Sequence, residues 1–126
     1  NEAHYYRAKA YLDAGKTDGA MEDLKILAKD TRNVYGAEAK YKVAQIYFDG
    51  GQTDKAEQEV LNYIEVSTPH TYWLARSFVL LADVYMKSGR NLDAKQYLLS
   101  LKQNYQADDD IAGMIESRLE KLKTEN

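Results

Sequence analysis

Cysteine is absent from the 126 residues, which excludes disulfides and thiolate metal sites and leaves the compartment open, since a chain without thiols suits reducing and oxidising surroundings alike. Histidine occurs only as His4 and His70, with no H-E-x-x-H, nucleophile elbow or glycine-rich phosphate loop nearby, so both read as surface residues and no catalytic constellation is present. Long apolar runs are missing too. The longest, Phe78 to Met86, is interrupted by Asp83 and falls far short of the roughly 20 residues that span a bilayer. An excess of either charge is also lacking: the formal net charge of −3 is small and mixed, which disfavours a polyanion such as nucleic acid as partner. The chain starts at Asn1 without methionine or a charged-then-apolar leader, and so reads as a processed or excised piece of a longer protein.

What is present is repetition. Eleven tyrosines stand against two phenylalanines, and most of the tyrosines fall at recurring positions, which points to packing rather than to a stacking surface. Ala44, Tyr47, Gly51, Thr53 and Ala56 are echoed 36 residues upstream by Ala8, Tyr11, Gly15, Thr17 and Ala20, and 38 downstream by Ala82, Tyr85, Gly89, Asn91 and Ala94. In each copy a small residue and an aromatic close one helix, a glycine stops it, and Thr17, Thr53 or Asn91 caps the next.

Taken in order, helical periodicity covers residues 2–14, where Tyr5, Ala8, Tyr11 and Leu12 share a face. The next helix runs from Thr17 with Ala20, Leu24, Leu27 and Ala28 inside, and Gly19 is a weak spot because glycine costs about 1 kcal/mol against alanine in a helix. A polar link from Asp30 to Val34 leads to a helix over about 36–48. Its partner starts at Thr53, buries Ala56, Val60, Leu61, Tyr63 and Ile64, and ends at the Ser67-Thr68-Pro69 cluster. A third pair covers about 72–87 and 92–105, packed by Phe78, Leu81, Ala82 and Tyr85 against Ala94, Leu98 and Leu101. The last stretch, about 109–123, puts Ile111, Ile115, Leu119 and Leu122 on one stripe, with Asp108, Asp109 and Asp110 as its cap rather than a calcium loop. Gly50-Gly51 lacks the lysine and serine of a phosphate cradle and serves as a helix stop.

A lone hairpin leaves an apolar face uncovered, so the copies must stack. The expected fold is therefore all-α: an α-solenoid of three helical hairpins (about 2–30, 36–66 and 72–105) and a capping helix, seven helices in one domain over 1–126.

This pattern resembles the tetratricopeptide repeat, whose period is about 34 residues. The family's tryptophan position holds His4, Lys40 and Phe78, its leucine position Arg7, Val43 and Leu81, its glycine position Ala8, Ala44 and Ala82, and its final proline Arg32, Thr68 and Gln106. The resemblance implies a non-catalytic scaffold or adaptor that binds a protein or peptide on a concave surface lined by the first helix of each hairpin. The positions facing it are Glu2, Tyr5, Lys9, Leu12 and Asp13, then Tyr41, Gln45, Phe48 and Asp49, then Arg76, Val79, Asp83, Met86 and Lys87. Tyr5, Tyr41 and Val79 can equally complete intramolecular packing. The set does not reproduce the lysine and asparagine ring with which the family's chaperone-tail binders hold a terminal carboxylate. No cofactor or metal is implied.

Pro69, Ala75, Leu81 to Tyr85, Gly89, Ala94, Leu98, Tyr105 and Arg118-Leu119 are similar to the repeats of bacterial envelope proteins that act beside the Tol-Pal system or in outer-membrane protein assembly. That implies a periplasmic adaptor, although Gln106 stands where those proteins usually carry proline and the same helical code occurs in cytosolic repeat proteins. Two further readings stand beside the binding module: self-association of a slice from a longer repeat array, and a hydrolase or metal enzyme that uses His70.

Overall fold

The computed structural model describes residues 1–66 and 68–124. Its helices are α1 (Glu2–Asp13), α2 (Thr17–Leu27), α3 (Val34–Asp49), α4 (Thr53–Glu65), α5 (Thr71–Lys87), α6 (Asn91–Asn104) and α7 (Ile111–Thr124). No strand occurs among the described residues, so the fold is the expected all-α helical repeat with seven helices. Ser67, part of the stop assigned after α4, lies outside the described residues.

The three repeated glycines close three equivalent turns. Gly15, Gly51 and Gly89 have φ of 75°, 80° and 78°, a left-handed conformation that costs an L side chain about 1–2 kcal/mol. In the first turn the Gly15 N–H reaches Leu12 O at 3.0 Å and the Lys16 N–H reaches Tyr11 O at 2.7 Å; Gly51 and Gln52, then Gly89 and Arg90, repeat both bonds. This double closure is a Schellman motif. The residue that completes it also starts the next helix, because Lys16, Gln52 and Arg90 offer their carbonyls to Ala20, Ala56 and Ala94 at 3.2, 3.0 and 3.1 Å.

That economy corrects the expected caps. Thr17, Thr53 and Asn91 are the first helical residues, and the cap positions belong to Lys16, Gln52 and Arg90, whose side chains make no capping bond. The expected caps thus lie one residue too far into each helix, because the cap is the residue that also closes the preceding turn. The side-chain cap appears instead at α3, where Asn33 accepts from the Tyr35 N–H at 2.8 Å and starts the helix earlier than expected.

Chain contacts divide the molecule into Asn1–Leu74 and Ala75–Asn126, the boundary falling within α5. In the first unit Ala8, Ala20, Leu24, Leu27, Ala39 and Val43 form one core cluster, with Tyr11, Leu12, Met21 and Tyr47 packed on it. Ala8 and Ala20 are 1% and 0% exposed at the α1–α2 contact, where a larger side chain would force the axes apart. Gly19 admits the Tyr11 ring: a Cβ there would lie 3.1 Å from it. Gly36 is required sterically, since a Cβ would sit 1.8 Å from the Asp30 carbonyl oxygen. The two links of this unit are tied together, with Thr68 donating to Thr31 O at 2.7 Å and the His70 ring nitrogen 3.0 Å from Arg32 O.

On α4 the buried face is Ala56, Val60 and Tyr63, whereas Leu61 and Ile64, expected inside, are 37% and 36% exposed. Each sits one residue beyond the buried stripe and so is rotated about 100° from it. In the second unit Tyr97 of α6 packs against Phe78 and Tyr85 of α5, at 6.2 and 5.6 Å between ring centroids. Ile111, Ile115 and Leu122 of α7 are buried, and Asp109 starts that helix by accepting from the Ile111 N–H at 2.9 Å.

Candidate functional site

Positions 41, 45 and 49 lie one turn apart on a single face of α3. The Tyr41 hydroxyl donates to Gln45 Oε1 at 2.8 Å, and the Gln45 amide donates to Asp49 Oδ1 at 2.8 Å. Each group therefore orients the next, and the chain ends on an exposed carboxylate. Tyr41 itself is buried and lies against Trp73, with ring centroids 5.7 Å apart. It fixes the face, while Gln45, Phe48 and Asp49 present it.

On α1, Tyr5 is held from several sides. Its hydroxyl donates to both Glu38 oxygens at 3.1 and 3.3 Å, and its ring meets those of Tyr35 and Tyr6 at 4.5 and 5.3 Å. Lys9 and Lys42 place their ammonium groups 5.4 and 6.0 Å from the ring centroid, within cation–π range. Burial, helped by the Glu38 charge, pushes the Tyr5 phenol up to about 12, so it stays a hydrogen-bond donor at any physiological pH. Leu12 joins Met21, Ile46, Tyr47 and Asp49 along an open cleft of about 560 Å3, with Asp18 at its edge. Glu2 and Asp13 are exposed at the surface of α1.

The third set lies in the second unit. Val79 is 3% exposed, and both Asp83 oxygens are held by Arg118 of α7 at 2.6 and 2.9 Å. Packing and an ion pair thus occupy Val79 and Asp83, while Arg76 and Met86 are half-buried and Lys87 is exposed.

The repeat carries a further set of residues that the sequence reading passed over. Asp23 on α2 is 1% exposed and receives Arg7 through Nε at 2.8 Å and Nη2 at 2.7 Å, with His4 Nδ1 2.8 Å from Oδ1. The Arg7 hydrogen bonds hold the Asp23 carboxyl down at about 2, against the opposing effect of burial, and the same contact pushes the Arg7 guanidinium up. The matching positions of the second hairpin hold Lys40 and Glu59, 3.0 Å apart, with Asn62 accepting from Lys40 at 2.7 Å. In the third hairpin they hold Phe78 and Tyr97. The signal was available: His4 and Lys40, like Asp23 and Glu59, are separated by the 36-residue repeat. His4 and His70, read as surface residues, are both half-buried and hydrogen-bonded, because each sits where two segments are tied.

Among the described residues no group of three or more His, Cys, Asp or Glu side chains could hold a metal ion, and no helix is long and apolar enough to cross a membrane. Residues 2–30, the first hairpin, match the family model of the tetratricopeptide repeat, which supports that repeat family for this chain. The match does not extend to the narrower bacterial envelope group. No curated protein and no solved structure matches the chain.

Proposed function

We propose that this chain is a non-catalytic protein-interaction module that holds a peptide segment along the exposed side of α3 and the cleft beside it. Tetratricopeptide repeats generally mediate protein–protein interaction, and the first hairpin matches that repeat. The observation that carries the site is the Tyr41–Gln45–Asp49 chain, which sets an amide and a carboxylate at fixed positions next to the cleft lined by Leu12, Met21, Ile46 and Tyr47. Oriented polar groups beside an apolar hollow are what a peptide with alternating apolar and polar side chains requires.

Selection from a randomised peptide library on the immobilised chain tests the reading. Gln45→Ala with Asp49→Ala should weaken the enriched peptides at least about ten-fold, or 1.4 kcal/mol, while helicity is kept. Equal binding by the double variant would remove the site from α3. Tyr41 is a poor choice for this test because it is buried.

Self-association is the second reading, favoured by one observation: Leu92 and Leu99, two turns apart on α6, are 70% and 44% exposed. A monomer unchanged over a wide concentration range in sedimentation equilibrium would count against it. The envelope-adaptor reading rests on the residue pattern around Pro69 to Tyr105, and the start of the complete gene tests it through a leader or lipid-attachment signal.

A further inference from the structure

We propose that the hollow between α2, α3 and α4 is a carboxylate-binding pocket that takes an acidic group on a short aliphatic stem from a partner polypeptide. The hollow has a volume of about 390 Å3 and lies wholly within the first unit. Three lysines line it, Lys25 from α2, Lys29 from the α2–α3 link and Lys40 from α3, against the single acidic side chain of Glu59, and the Lys25 ammonium also stands 5.7 Å from the Tyr47 ring centroid. Lys40 is only 9% exposed, and its contacts with Glu59 at 3.0 Å and Asn62 at 2.7 Å fix it at the pocket wall. The cations therefore outnumber the anion, and a group brought in to balance them carries negative charge.

Comparison of the three hairpins shows how the hollow arises. In the first, Arg7 and His4 both reach Asp23, so the carboxylate is satisfied from within the repeat. In the second, Val43 stands where Arg7 would, and Glu59 pairs with Lys40 across the hairpin, while Lys25 of α2 and Lys29 of the α2–α3 link line the same hollow. In the third, the rings of Phe78 and Tyr97 occupy these positions. Ala28, Val43 and Val66 add an apolar wall suited to a methylene stem. Lysines act as point charges without the planar fork of arginine, which suits a carboxylate approaching end-on.

The pocket uses residues other than the α3 face and rests on the protein-partner reading only for the source of its carboxylate; small-molecule probes keep the two tests separate. The full chain is titrated at constant ionic strength and followed through its amide 1H–15N spectrum. N-acetylglutamate α-amide presents a side-chain carboxylate, N-acetylvaline a terminal one, N-acetylglutamine amide is the neutral control, and inorganic phosphate the competing anion. Saturable shifts at Thr31, Lys40 and Asn62 with either carboxylate are expected, and which of the two binds tells the side chain from the chain terminus. Lys25→Met with Lys29→Met should weaken binding at least about five-fold, whereas Lys95→Met with Lys121→Met should leave it unchanged. Absence of saturable shifts, an equal response to the neutral amide, tighter binding of phosphate, or indifference to the Lys25 and Lys29 substitutions would each overturn the proposal.

Discussion

Arg7 grips both carboxylate oxygens of Asp23, at 2.7 and 2.8 Å, and so bolts α1 to α2 through a group that is 1% exposed. A carboxyl held at about 2 in the folded protein, against an ordinary 3.8, adds stability that is fully present above pH 3.8 and lost as pH falls through about 2. Asp23→Asn should therefore destabilise the chain most at neutral pH, by about 1–3 kcal/mol, because Arg7 and His4 lose their charged partner. The gap to the parent should close towards pH 2, as measured by urea unfolding at a series of pH values. A pH-independent gap would mean that the ion pair contributes only shape.

At the alkaline end the sign reverses. Tyr5, pushed up to about 12 from 10.0, favours the folded state fully below pH 10 and loses that contribution as pH rises through about 12. Tyr5→Phe should flatten the alkaline limb of the stability profile. Its effect near pH 7 is the loss of one hydrogen bond to Glu38, on the order of 1 kcal/mol.

Two glycines in helices should respond to alanine with opposite signs. Gly36→Ala places a methyl 1.8 Å from the Asp30 carbonyl and 2.6 Å from that of Leu27, so the α2–α3 link must move, costing about 2 kcal/mol or more. Gly113→Ala meets nothing within 4 Å and should stabilise α7 by about 0.5–1 kcal/mol. Thermal unfolding of the two variants beside the parent decides both.

Asp83 and Arg118 join α5 to α7 inside the second unit. Both side chains are about a quarter exposed, at 24% and 26%, so solvent screens the pair and a double-mutant cycle should give a coupling of roughly 1 kcal/mol. Asp83→Asn should also raise amide exchange in α7 selectively. Unchanged protection there would show that Ile111, Ile115 and Leu122 hold the helix without the ion pair.

The helices and their stops were legible because the repeat states them three times: Gly15, Gly51 and Gly89 occupy matching places and share one backbone conformation. The caps were misread at Thr17, Thr53 and Asn91 because residue preference does not reveal that a single residue ends one helix and starts the next. Burial failed at Leu61 and Ile64, which lie just off the stripe, a difference of one helical step that hydrophobicity alone does not resolve. At the candidate site, spacing was enough to put Tyr41, Gln45 and Asp49 on one side of α3. The charged positions His4, Lys40, Asp23 and Glu59 were marked by the 36-residue repeat, but their pairing was not, because a pair that forms between two helices becomes visible only when their registers are known.

The shared residue at each turn has a consequence for how such a chain can change length. From Ala8 to Ala20, Ala44 to Ala56 and Ala82 to Ala94 the interval is always 12, whereas from Ala20 to Ala44 it is 24 and from Ala56 to Ala82 it is 26. One residue inserted between Tyr47 and Ala56 would turn the second helix by about 100° and carry Ala56, Val60 and Tyr63 off their seat. The joint inside a hairpin is thus locked in phase, and insertions accumulate in the seams between hairpins.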